Sequence, residues 1–254
     1  MHKKIIVGNW KMNPSSIKEA EILFKAISTA LSRNPGVDVV ICPPSLYLHQ
    51  LLKVKNKYIS LGAQNAFYES SGAFTGEVSP IMLRASKVTH VIVGHSERRS
   101  LGETNEIINK KLNALSKAKI TSVLCIGEKE RSNDGAYLQV VKEQLIECLK
   151  GLSKSYLSNI IIAYEPVWAL STTVNRHDAT PHDFEEMKIY IRKLLTDIYG
   201  RTTALSVRII YGGSVSKDNA ESFFVAGADG LLPGKASLQP KNFAEIISIA
   251  SKFK

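Results

Sequence analysis

Cysteine is scarce and poorly placed for cross-linking: Cys42, Cys125 and Cys148 are the only three in 254 residues. Their odd number, wide spacing and lack of a CxxC pair argue against a disulfide framework and fit a reducing cytoplasm. Long hydrophobic runs are also missing. No stretch of about 20 apolar residues occurs, so no membrane partner is expected. The basic start Met1-His2-Lys3-Lys4 leads into a short apolar run, Ile5-Ile6-Val7, that is cut off by Gly8-Asn9-Trp10-Lys11. That run is too short for a signal peptide and reads as a first strand. His and Cys show no metal-ligand spacing, and neither HExxH nor an EF-hand loop is present, so neither metal nor cofactor is expected. No linker rich in Pro, Gly or Ser divides the chain, which predicts one domain over residues 1–254. Positive charge is plentiful, at a net +10, but Lys and Arg never cluster in a block of five. The basic surface is therefore read as solvated, with a capacity to steer an anionic substrate and no nucleic-acid partner.

What the chain does have is a repeated alternation. Short, β-branched runs lie at Lys4–Val7, Val37–Cys42, Ser60–Ala63, Val88–Gly94, Ile120–Cys125, Ile160–Tyr164, Val207–Tyr211 and Asp229–Leu232. Most are almost continuously apolar, as parallel strands covered on both faces must be. Amphipathic helical patterns fill the gaps. Ile17 to Leu31 sets Ile22, Leu23, Ala26, Ile27, Ala30 and Leu31 at helical spacing. Thr180-Pro181 supplies an N-cap and a first helical position for another helix, and Pro240 opens the last. Eight βα units imply an α/β fold of eight parallel strands closed into a (β/α)8 barrel ringed by helices, a fold of about 250 residues. An open doubly wound sheet would be expected to carry a GxGxxG turn where Gly8-Asn9-Trp10-Lys11 stands.

In such barrels, polar residues at the C-terminal ends of strands build the active site. Here these ends read Asn9-Trp10-Lys11, Gly94-His95-Ser96-Glu97-Arg98-Arg99, Tyr164-Glu165-Pro166-Val167-Trp168, Tyr211-Gly212-Gly213-Ser214 and Leu232-Pro233-Gly234-Lys235. A screened carboxylate can act as a general base, an imidazole can polarise a carbonyl, and an ammonium can stabilise an oxyanion. Glycine-rich turns on strands seven and eight can offer backbone N–H groups to a phosphate. Each residue alone is weak: a lone Lys is usually a surface charge and a lone His a structural one. Together they describe proton abstraction beside a carbonyl on a phosphorylated substrate. The long segment Asn65–Glu77, with its aromatics Phe67, Tyr68 and Phe74, is either folded on its own barrel or a contact with another subunit.

These motifs, with Gly62-Ala63-Gln64-Asn65 and Cys125-Ile126-Gly127-Glu128, occur in an order that resembles the triosephosphate isomerase family over nearly the whole chain. The resemblance implies a cytoplasmic homodimer of glycolysis and gluconeogenesis that interconverts dihydroxyacetone phosphate and D-glyceraldehyde 3-phosphate through an enediol(ate). It implies Glu165 as the base and His95 as a neutral electrophile; this enzyme is itself a standard worked example of those two roles. Lys11 would balance the developing charge, Asn9 would hold substrate oxygens, Glu97 would order Lys11, and Ser96 would hold Glu165 while the lid is open. Ser171, Gly213, Ser214, Gly234 and Lys235 would receive the phosphate, with Asn9 and Lys11 nearby. Pro166, Val167, Trp168 and Leu170 would belong to a closing lid, which Tyr211 and Ser214 would hold. Gln64, Asn65, Phe74, Thr75 and Gly76 would meet a second copy of the chain.

Two segments depart from the family's usual pattern. Residues 169–181 lack both lid glycines and run longer, with Ser171 and Thr173 at the positions concerned. A β-branched Thr173 would strain a left-handed hinge, so slower or looser closure is expected. At strand eight a phosphate-facing glycine has become Lys235. These departures keep two alternatives open: an isomerase of a longer sugar phosphate, such as a tetrulose phosphate, or a lid-impaired binding protein on the same fold.

Overall fold

The computed structural model describes residues 3–31, 34–54, 56–132, 134–170, 173 and 177–253. The strands are β1 (Ile5–Asn9), β2 (Asp38–Cys42), β3 (Ile59–Ala63), β4 (His90–Val93), β5 (Thr121–Ile126), β6 (Ile160–Tyr164), β7 (Arg208–Tyr211) and β8 (Gly230–Leu231). All neighbours pair in parallel, and β8 pairs with β1 to close the barrel. The helices are α1 (Ile17–Ala30), α2 (Ser45–Leu51), α3 (Pro80–Ala85), α4 (Ser96–Ser100), α5 (Asn105–Lys117), α6 (Ala136–Leu149), α7 (Pro181–Tyr199), α8 (Arg201–Ser206), α9 (Ala220–Val225) and α10 (Pro240–Ala250). The eight expected runs are the eight strands, with ends shifted by a residue or two.

Side chains alternate across each strand, and the alternation divides the core in two. One set, including Ile5, Val7, Val40, Cys42, Val123, Cys125, Ile161, Ala163 and Ile210, forms its own buried cluster, the filling of the barrel. The other, including Ile6, Val39, Ile41, Leu124, Ile162 and Tyr164, packs with the helices. Continuing each inward series by two residues reaches the mouth. Ile5 and Val7 lead to Asn9, and Ile161 and Ala163 lead to Glu165. The barrel filling therefore aims these two side chains.

The expected face of α1 needs correction. Its buried residues are Ala20, Phe24 and Ile27, while Ile22 is 59% exposed and Ala26 and Ala30 also face outward. Phe24 sits at the centre of the contact stripe, and Ile22 lies off it by half a turn. The start of α7 is as expected. Thr180 Oγ1 accepts from the Asp183 N–H, and Asp183 accepts from the Thr180 N–H, a reciprocal cap next to Pro181.

At the opposite end of the barrel, Asp38 at the start of β2 receives Arg208 at 2.9 Å and Lys3 at 3.1 Å. His90, at the start of β4, lies beside this cluster and pairs with Thr89 Oγ1 at 2.8 Å. Burial, aided by the Arg208 charge and opposed by Asp38, pushes the His90 pKa down to about 4. The unfolded chain binds a proton at an ordinary histidine pKa, about 6.5, that the folded chain refuses. Stability should thus fall as pH drops from about 6.5 to about 4, by on the order of 3 kcal/mol from this group. Urea midpoints measured across that window should show the loss, and His90→Asn should flatten it.

Candidate active site

Glu165 follows β6, is 2% exposed, and is held by two donors at the barrel mouth. Its Oε1 lies 2.9 Å from His95 Nε2, and its Oε2 accepts the Ser96 backbone N–H at 2.9 Å. Burial opposes the ionised carboxylate, but the His95 contact, the Ser96 amide and Lys11 together hold its pKa below the ordinary glutamate value. Its backbone is equally confined. A Cβ on Gly127, the residue after β5, would come 2.0 Å from the Glu165 carbonyl oxygen. Only glycine lets β5 pass so close behind the base.

His95 caps α4, and its Nδ1 accepts the Glu97 N–H at 3.2 Å. A nitrogen that accepts a hydrogen bond carries no proton, so the proton of the neutral ring belongs on Nε2, which donates to Glu165. Burial works to lower the His95 pKa, yet the Glu165 carboxylate outweighs it and raises the pKa while the two stay in contact. That rise runs against the neutral ring that the resemblance implies, and its cause is one removable contact. A ligand between Glu165 and His95 would remove it, leaving burial and the Glu97 amide to favour the neutral ring.

Lys11 reaches the cavity from the turn after β1. Its φ is +52°, a left-handed conformation costly for a side chain with a Cβ. Its N–H donates to Asn9 Oδ1 at 3.0 Å, and Gln64 Nε2 donates to its carbonyl at 2.8 Å and to that of Cys42 at 2.8 Å. Lys11 Nζ pairs with Glu97 Oε1 at 2.6 Å. Glu97 thus orders Lys11, and Gln64 braces it within its own chain.

Asn9, Lys11, His95, Glu165, Leu170, Gly213, Ser214, Gly234 and Lys235 line one cavity of about 280 Å³. Sequence reasoning missed Asp178, Ser216 and Asn219 on the same wall. Asn219 earns its place through the Ser214 carbonyl, to which its Nδ2 donates at 2.8 Å. Gly213 is needed because a Cβ there would come 2.2 Å from Tyr211 Oη. Ser171 lies outside the described residues. Ser96 acts on Glu165 through its backbone; its hydroxyl is buried and has no hydrogen-bond partner among the described residues.

Pro166, Val167, Trp168 and Leu170 lead away from the base through a short 3-10 turn at Val167–Ala169. Glu128, 1% exposed, accepts from Trp168 Nε1 at 2.8 Å and from Tyr164 Oη at 2.7 Å. Arg131 joins them, 3.1 Å from Tyr164 Oη and paired with Glu186. The Gly127-Glu128 motif was visible in the sequence, but its spacing did not reveal this anchoring role. Ser214 Oγ donates to the Ala169 carbonyl at 2.8 Å, while Tyr211 is stacked on Phe223 with ring centroids 3.7 Å apart. The Thr173 N–H bonds the Leu170 carbonyl at 3.0 Å and its hydroxyl the Val167 carbonyl at 2.5 Å.

A second groove, of about 410 Å³, shares Asn9, Lys11 and His95 with the first and continues past Met12, Gln64, Asn65, Gly76, Glu97 and Leu101. Lys111 Nζ donates to Asn65 Oδ1 at 2.7 Å and ties the base of the loop to α5. Phe74 packs on Phe67 at 4.7 Å yet stays 42% exposed, beside exposed Thr75 and Gly76. Among the described residues, no group of three or more His, Cys, Asp or Glu is arranged to hold a metal, and no helix is long and apolar enough to cross a membrane.

A family model described as triosephosphate isomerase matches residues 4–250. A triosephosphate isomerase of Dictyoglomus turgidum is 42% identical over 97% of this chain and 99% of that relative. The one from Caldanaerobacter subterraneus subsp. tengcongensis is 40% identical over 98% of this chain and 100% of its own length. One from Dehalococcoides mccartyi is 42% identical over 97% of this chain and 96% of its own. With the matched span running from the first strand to the last helix, the chain belongs to the triosephosphate isomerase family.

Proposed function

We propose that Glu165, His95 and Lys11 carry the family's reaction in this chain. The chain is an isomerase that interconverts dihydroxyacetone phosphate and D-glyceraldehyde 3-phosphate. Neither the longer sugar phosphate nor a purely binding role is favoured by its relatives. The observation that carries the assignment of roles is the buried, ionised Glu165 in contact with His95 Nε2 at 2.9 Å, in the wall of a cavity that Lys11 also lines. Glu165 takes the carbon-bound proton from one carbon and returns it to the next. His95 donates Nε2–H to the oxygen on which charge develops, and Lys11 stabilises that charge. Asn9 holds the substrate oxygens. The phosphoryl group lies toward Gly213, Ser214, Gly234 and Lys235, with Ser171 contributing from the lid. Closure of the segment from Pro166 onward excludes water from the intermediate.

Isomerase activity should be measured in both directions with the two triose phosphates. Glu165→Asp and His95→Gln should each lower kcat by about 10²–10⁴-fold with folding intact. A folded chain without turnover, or unaffected variants, would overturn the assignment. Gly127→Ala should push the backbone of the base aside, and a displacement of about 1 Å is worth roughly 10²-fold in kcat. An unchanged kcat would show that the close approach of Gly127 to Glu165 does not position the base.

We also infer a cytoplasmic homodimer. Its support is the exposed, aromatic-braced loop at Phe74, Thr75 and Gly76, the groove that opens onto Lys11 and His95, and exposed Met12 and Leu101 on its walls, at 93% and 81%. The three buried, unbridged cysteines fit a reducing compartment. Phe74 would enter the groove of a second copy and brace Lys11 and His95 from outside. Phe74→Asp should yield monomers in sedimentation velocity, with activity reduced along with the dimer fraction; an unaltered mass would exclude this contact.

A further inference from the structure

Lys235 lines the active cavity and is exposed, and its side chain makes no hydrogen bond or ion pair among the described residues. The other cavity lysine is differently placed. Lys11 Nζ is already matched by Glu97 at 2.6 Å. The two lysines flank the same turn, for Lys11 Cε lies 3.4 Å from where a Cβ on Gly234 would stand. The acids that face the cavity are spoken for. Glu165 is bound by His95 and Ser96, and Asp178 also has a partner. The wall next to Gly213, Ser214 and Gly234 therefore presents a cation whose charge is not cancelled locally.

We propose that Lys235 is a specificity-determining residue that selects a dianionic phosphate ester and makes its capture strongly dependent on ionic strength. This rests on the isomerase reading above, which directs the phosphoryl group to this wall. Backbone amides alone would bind an oxyanion through short-range, oriented hydrogen bonds. An unpaired ammonium on a flexible stem adds a point charge that reaches further and scales with the charge of the ligand. It is also screened by salt, because an exposed charge acts through solvent with a Debye length of about 10 Å at 0.1 M ionic strength. Lys11 cannot supply the same contribution while its charge is held by Glu97. A monoanionic analogue of the substrate should gain much less from Lys235 than the dianion does.

The test compares wild type, Lys235→Gly and Lys235→Arg. It measures KM and kcat for D-glyceraldehyde 3-phosphate, and Kd for glycerol 3-phosphate and for its monoanionic methyl ester, at roughly 20 and 300 mM salt on either side of that screening regime. At low salt, Lys235→Gly should raise KM and the dianion Kd about tenfold, with a much smaller effect on the methyl ester. The gap should shrink severalfold at high salt, and Lys235→Arg should retain most of the wild-type affinity. Equal dianion Kd values at low salt, or a loss that is the same for both esters and at both salts, would overturn the proposal. Failure of the isomerase reading would look different: no turnover by the folded wild type, whatever the Kd values.

Discussion

The structure turns on keeping one buried carboxylate ionised at the mouth of an apolar barrel. An isolated carboxylate at 2% exposure would take up a proton rather than bear its charge without partners. Glu165 avoids this through the Ser96 amide and His95 Nε2, and both donors depend on how the chain turns after β4. Gly94 makes that turn at φ +70°, its N–H held by Glu103 at 3.2 Å and its carbonyl by Arg99 at 2.8 Å. Glu103 is in turn paired with buried Lys111, which also holds Asn65. The support of the base therefore runs out through α5 to the foot of the exposed loop. A change at that foot can reach the base without touching the cavity.

Lys11 shows the complementary constraint. Its left-handed backbone is unfavourable by itself and persists because Asn9, Gln64 and Glu97 fix the turn from three sides. The same contacts hold its charge against Glu97 at the cavity edge. The site thus has two kinds of cation. One is a braced lysine of fixed position, suited to a charge that develops on one oxygen. The other is unbraced Lys235, suited to a phosphoryl group that arrives already charged.

The barrel was legible in the sequence because eight buried strands write themselves as apolar runs, and the same runs fix which residues reach the mouth. Asn9 and Glu165 lie in phase with Ile5-Val7 and Ile161-Ala163, so strand alternation carries their placement. His95, Lys11 and Ser214 were legible as polar residues at strand ends. The supports were not. Gly127 could be read only as part of a motif, since its need comes from the backbone that follows the next strand, β6. Gln64 was expected to meet another subunit, and its bonds to the Lys11 and Cys42 carbonyls appear only once β1, β2 and β3 are side by side. On α1 the apolar residues cover more than one face, and the buried stripe Ala20, Phe24, Ile27 and Leu31 was not the one singled out, although it too lies at helical spacing.

The stem of the lid follows from the same economy of polar partners. Glycine would give a hinge freedom; Thr173 instead gives it bonds, from its hydroxyl to Val167 and from its N–H to Leu170. Glu128 fixes Trp168, and Ser214 fixes the Ala169 carbonyl. Each such bond contributes about 1 kcal/mol net, so a stem that moves must exchange these bonds for others of similar strength. Ser214 belongs both to the stem and to the wall where the phosphoryl group is directed. A ligand that draws on the Ser214 hydroxyl competes directly with Ala169. On the proposed reading, phosphate binding and movement of the stem would therefore be coupled at the one Ser214 hydroxyl that now donates to Ala169.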